Sequence, residues 1–158
     1  MNRKTVSILT TILLIVLLGF SWLYWRSQTY MGQAEVEAVQ RVEYDYPVKK
    51  VNRFYWTTIK QAYFSLDFVD ENDQRRYAII ARNGGEAVYF TAEELISEED
   101  AQAITVSDLK PHKILHTRLG LMEAIPVWEV ALKNENGTLT YYYLNAINGE
   151  WIQKIENI

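Results

Sequence analysis

The sequence predicts an α+β protein in which an N-terminal transmembrane helix precedes two tandem modules, each one helix packed on a four-stranded antiparallel sheet. Three observations predict this. Val6–Trp25 is a run of twenty residues without a charge; residues 35–94 align without a gap on residues 99–158; and each copy reads as one helix followed by four strand-like runs. The expected divisions are 1–26 for a cytoplasmic tip and anchor, 27–94 for the first module with a helical stalk, and 95–158 for the second module.

The anchor follows from length. At about 1.5 Å per helical residue, twenty residues cover roughly the 30 Å hydrocarbon thickness of a bilayer. Trp22, Tyr24 and Trp25 close the run, where amphipathic rings favour the headgroup level. Arg3, Lys4 and the terminal amine precede it, whereas the nearest charges beyond it are Arg26 and then Glu35, Glu37, Arg41, Glu43 and Asp45. The positive-inside rule then puts the N-terminus in the cytoplasm and the modules outside the membrane. A cleaved signal peptide needs small residues at its end, and Trp22-Leu23-Tyr24-Trp25-Arg26 stands there instead, so the run reads as a retained single-pass anchor.

The duplication lies at an offset of 64, aligning Pro47 with Pro111, Lys49 with Lys113, Tyr77 with Tyr141, and Gly85-Glu86 with Gly149-Glu150. Residue types match as well, since Phe64, Leu66 and Phe68 fall on Trp128, Val130 and Leu132. In the second copy Ser97 caps a helix whose first turn is Glu98-Glu99-Asp100, and Pro111 stops it. Strands are expected at Lys113–Leu119, Val127–Lys133, Leu139–Leu144 and Glu150–Ile155, separated by Asn134-Glu135-Asn136-Gly137 and Asn148-Gly149 turns. Along Val127–Lys133, Trp128, Val130 and Leu132 alternate with Val127, Glu129, Ala131 and Lys133, the period-two pattern of a sheet with one buried side. The first copy repeats this with a helix near Ala34–Tyr44 and strands near Lys49–Thr57, Ala62–Val69, Arg75–Arg82 and Ala87–Phe90. Only Gly32 interrupts the path from the membrane run to that helix.

Composition and spacing exclude much chemistry. With 16 Lys and Arg against 20 Asp and Glu the chain is mildly acidic, which does not suit a phosphate backbone, so no nucleic-acid partner is expected. The absence of cysteine removes disulfide frameworks, thiolate metal sites, thiol nucleophiles and lipid attachment through sulfur. His112 and His116 fit an extended strand, where four residues separate the rings by roughly 13 Å, too far to share a metal. Asp70-Glu71-Asn72-Asp73 lacks the central Gly and distal Glu of a calcium loop and reads as a hairpin turn. Glu93, Glu94, Glu98, Glu99 and Asp100 gather at a helix start, where the dipole explains them. Neither a nucleophile-elbow pattern nor a phosphate-binding Gly loop occurs. No catalytic residue, cofactor or metal is therefore expected.

Pro126-Val127-Trp128-Glu129-Val130, followed by a Gly turn, Tyr141-Tyr142-Tyr143-Leu144 and Asn148-Gly149-Glu150, resembles the C-terminal hairpins of PepSY-type domains. With an N-terminal anchor, the duplication and the segment Phe54–Phe64, nearly the whole chain is similar to the TseB-like cell-wall-elongation regulators of Gram-positive bacteria. The resemblance implies cystatin-like modules and a non-catalytic protein outside the membrane that modulates a penicillin-binding protein of the elongation machinery. Other PepSY-type and cystatin-like domains imply an alternative, a peptidase inhibitor or propeptide-like chaperone. An enzyme acting on wall polymers is a third reading.

Aromatic residues are the remaining functional signal, because Tyr and Trp are favoured where proteins meet. A helix covers one side of its sheet, which leaves Tyr55, Trp56, Tyr63 and Tyr142 for either the sister module or a partner. These four are the candidate interface residues. Mutual burial of two marginal modules of about 60 residues competes directly for the same rings.

Overall fold

The computed structural model describes residues 3–156, with side chains for all of these except Thr5 and residues 27–30. The chain divides into two compact units, Met1–Glu37 and Ala38–Ile158. Helix α1, Arg3–Glu43, fills the described part of the first unit and supplies the opening residues of the second. Its apolar stretch reaches a mean hydropathy of 2.4 and has the length and composition of a membrane anchor or a signal sequence. Leu14, Leu18 and Phe20 are more than half exposed. Thr10 and Thr11 return their hydroxyls to the carbonyls of Val6 and Ser7 at 2.9 and 3.0 Å, which satisfies them without water. The Arg26 guanidinium stacks 5.2 Å from the Trp22 ring centre.

In the second unit Ala38 and Val42 are buried, and the amides of Asp45 and Tyr46 both donate to the Val42 carbonyl, closing α1 just before Pro47. Four strands follow: β1 (Val48–Thr58), β2 (Ala62–Asp70), β3 (Arg75–Ala81) and β4 (Val88–Thr91). Then come α2 (Glu98–Leu109), β5 (Lys113–Met122), β6 (Ile125–Lys133), β7 (Leu139–Asn145) and β8 (Trp151–Glu156). The strands form two four-stranded antiparallel meanders in chain order. Each expected strand and α2 lie within a few residues of their expected ends, and the helix expected near Ala34–Tyr44 is the last part of α1, continuous with the apolar run. Ser97 and Asp100 form a reciprocal capping box, with Ser97 Oγ accepting from the Asp100 amide at 3.0 Å and the Asp100 carboxylate accepting from the Ser97 amide at 3.2 Å.

The duplication is visible in the pairing. Tyr63 opposite Ala81 in the first sheet corresponds to Val127 opposite Asn145 in the second, and Phe68 opposite Arg76 corresponds to Leu132 opposite Thr140. The gapless alignment fails at the first hairpin of each sheet. Thr58 pairs with Ala62 across a three-residue loop, whereas Met122 pairs with Ile125 across Glu123-Ala124 alone. Both of those loop residues are left-handed, at φ 53° and 68°, as a two-residue hairpin turn requires. The tighter turn carries an extra pair, Met122 with Ile125, so four residues separate Leu121 from Pro126 where three separate Thr58 from Ala62; β5 is shifted by one, the counterpart of Trp56 is Leu119 and that of Tyr55 is Arg118.

The sheets share one core. Tyr55, Tyr63, Tyr77 and Ile79 of the first cluster with Leu119, Leu121, Trp128, Val130 and Leu144 of the second. Trp128 is fully buried, meets Tyr55 and Tyr77 edge-on at 5.6 and 6.2 Å, and donates from Nε1 to the Ile96 carbonyl at 2.9 Å. Where the sheets meet, Ser65 Oγ donates to the Leu119 carbonyl at 2.8 Å. A Cβ on Gly120 would stand 2.6 Å from Thr57 Oγ1, so only glycine lets this approach occur.

One expectation is corrected. β6 is buried on both faces from Pro126 to Leu132, not on one. Val127 lies under Met122 and Tyr143, with Ile59 from the β1–β2 loop and Ile152 packed against them. The Glu129 carboxylate accepts from the Tyr143 hydroxyl at 3.1 Å and has His116 and Arg118 at 3.6 and 4.0 Å. Long side chains lying along the sheet cover the face that alternation had assigned to solvent.

Candidate interaction surface

Three of the four sequence-selected aromatics lie inside the core. Tyr55 is 6% exposed, and its hydroxyl donates to Glu98 at 2.8 Å. Burial and that neighbouring carboxylate push the phenol well above its ordinary value. Tyr63 is 8% exposed, and its hydroxyl accepts from Gln61. Tyr142 is 5% exposed and donates to Asp108 on α2 at 2.8 Å; burial first, then Asp108, push its phenol up to about 12. Packing between the sheets, with hydrogen bonds to α2, accounts for these residues.

Trp56 is different. It is half-buried on the other face of β1 beside Phe54 and opposite Phe64, whose ring it meets edge-on at 5.1 Å. The exposed Arg82, just beyond β3, places its guanidinium 5.1 Å from the Trp56 ring centre. The Arg82 amide donates to the Ala62 carbonyl at 2.9 Å, which fixes its position at the sheet end. Next to the pair is a shallow depression lined by Gln61, Ala62, Arg82 and Asn83. Leu119, the counterpart of Trp56 in the second sheet, is fully buried. The fold therefore accommodates this position inside, and Trp56 departs from it.

Arg82 escapes sequence reasoning because cation stacking connects a position on β1 with one just beyond β3, and only the pairing register brings them together. The register Trp56–Phe64–Ile80 is the signal that locates it. The histidines lie where extended chain puts them, His116 within β5 and His112 just before it. The acidic turn is a hairpin turn: Asp70 accepts from the amides of Asn72 and Gln74 at 2.9 Å and from Arg76 Nε at 2.8 Å. Among the described residues no group of three or more His, Asp or Glu is arranged to hold a metal.

The fold is similar to that of the YpmB protein from Bacillus subtilis, with a TM-score of 0.67 and 19% sequence identity over 76% of this chain and 95% of that one. Such a likeness establishes a related fold. No protein-family model and no curated protein matches the sequence.

Proposed function

We propose that this chain is a non-catalytic, membrane-anchored extracytoplasmic regulator of cell-wall elongation that binds a penicillin-binding protein or another component of the elongation machinery. Its two sheets with their helices are then cystatin-like, PepSY-type modules, and its N-terminus is cytoplasmic. The observation that carries the reading is the Trp56–Arg82 pair. Tryptophan and arginine are the residue types that dominate protein interfaces, and here they stack on each other at a sheet end beside a shallow depression. The fold shared with YpmB supports the module assignment, and the apolar helix α1 supports the anchor.

The test is crosslinking in living Gram-positive cells with the full-length chain as bait and an anchor-only chain as control, read by mass spectrometry. The expected result is enrichment of a penicillin-binding protein that Arg82→Glu abolishes while thermal stability is unchanged. Enrichment of a secreted peptidase, insensitive to Arg82→Glu, would replace this reading with that of an inhibitor.

A further inference from the structure

A second open depression lies between the end of α1 and β4, lined by Arg41, Tyr44, Asp45, Tyr46, Glu86 and Tyr89. Its walls are built. The Asp45 carboxylate accepts from the Tyr89 hydroxyl at 2.7 Å and from Arg41 at 3.1 Å. Tyr46 stands edge-on to Tyr89 with ring centres 4.8 Å apart, and the Arg76 guanidinium stacks 4.5 Å from Tyr46. Arg76 is itself held by Asp70 at 2.8 Å. Tyr44, by contrast, is 85% exposed.

The duplication supplies an internal control. The aligned positions of the second copy hold Asp108, Leu109, Lys110 and, in β8, Gln153. Yet both helices end alike, with the Tyr46 amide on the Val42 carbonyl at 2.8 Å and the Lys110 amide on the Val106 carbonyl at 3.0 Å. The fold closes this helix without tyrosine, so Tyr44, Tyr46 and Tyr89 are not demanded by it.

We propose that this depression binds a neutral oligosaccharide, with a sugar ring lying on the face of Tyr44 and its hydroxyls bonded to Asp45, Glu86 and Arg41. A sugar hydroxyl both donates and accepts, which matches a wall where carboxylates, a guanidinium and phenols alternate. The C–H face of a pyranose packs against an aromatic ring, and a ring this exposed is available for it. Two carboxylates and one guanidinium line the site, and Arg41 is already paired with Asp45, which disfavours an anion. Ala87 is the single aliphatic residue of the lining, so an apolar peptide side chain finds no pocket there. This proposal does not rest on the partner assigned above.

The experiment is titration of the full-length protein in lipid nanodiscs with cellohexaose, maltoheptaose and N-acetylchitohexaose, followed by calorimetry and saturation-transfer NMR. The expected result is saturable binding to at least one of the three, weakened roughly tenfold by Tyr44→Ala. Tyr44 and Glu86 are exposed, so neither Tyr44→Ala nor Glu86→Gln should move the melting temperature. No saturable binding to any of the three, or binding untouched by both variants, overturns the proposal. Loss of protein crosslinking in Tyr44→Ala cells without saccharide binding would overturn it too and assign the depression to a protein partner.

Discussion

Gly120 and Thr57 meet where the two sheets cross, and a single methyl group tests that contact. Gly120→Ala should destabilise the protein by about 1–3 kcal/mol in urea denaturation, because the new Cβ enters a buried hydroxyl at 2.6 Å. Thr57→Ala should recover part of the loss, since Thr57 Oγ1 is buried without a hydrogen-bond partner. Tyr55→Phe removes the donor to the largely buried Glu98 and should cost about 1–2 kcal/mol in the same assay. His116 supplies a pH dependence. Burial, and then the Arg118 guanidinium, hold its imidazole below the usual 6.5, with Glu129 opposing them. In that interval the unfolded chain binds more protons, so stability present above about pH 6.5 is lost as pH falls below it. Denaturation midpoints measured from pH 7.5 to 5 should show this slope, and His116→Asn should flatten it. At this scale the sequence exposes which aromatics matter but not where they go. Tyr55 and Trp56 alternate on β1, and only the crossing of the sheets decides that the first is core and the second surface.

Elements were far more legible than faces. Ser97 before three acids, Pro after each helix, and Asn-Gly or Gly-Gly turns mark boundaries through local backbone chemistry, and those signals survive folding unchanged. Ser97→Ala should therefore cost about 1 kcal/mol, measurable by thermal denaturation, because it removes the hydroxyl that accepts from the Asp100 amide at the start of α2. What local chemistry cannot carry is register. Glu123-Ala124 adopts left-handed geometry without glycine, so nothing in the composition of that turn announces a loop one residue shorter than Ile59-Lys60-Gln61. The consequence is that Arg118, which pairing makes the counterpart of the core residue Tyr55, stays outside the core, while Leu119, the counterpart of Trp56, enters it. The second face of β6 was illegible for a related reason: Glu129 looks solvent-directed in sequence, and only Tyr143, His116 and Arg118 around it make it buried.

For the whole molecule, composition and the charge-free run of α1 set the broad plan, and the pairing of two sheets through one core completes it. Five buried residues of that core, Tyr55, Tyr63, Tyr77, Ile79 and Leu95, come from the first sheet or the segment after it, because a small module cannot bury enough surface alone. The candidate surface was half legible, since Trp56 stood among four sequence candidates while Arg82 came from the fold. If α1 is a retained anchor, the full-length protein should stay with the membrane through alkaline carbonate extraction; release into the supernatant would mark α1 as a cleaved signal sequence instead. The central claim is that the Trp56–Arg82 surface receives a protein of the elongation machinery. Its most direct test is a photo-crosslinking amino acid placed at position 82 of the full-length protein in growing cells, with the exposed turn position 135 as control. Capture of a penicillin-binding protein from position 82 and not from 135 is the result this account predicts. Equal capture from both positions, or none from position 82, would contradict it.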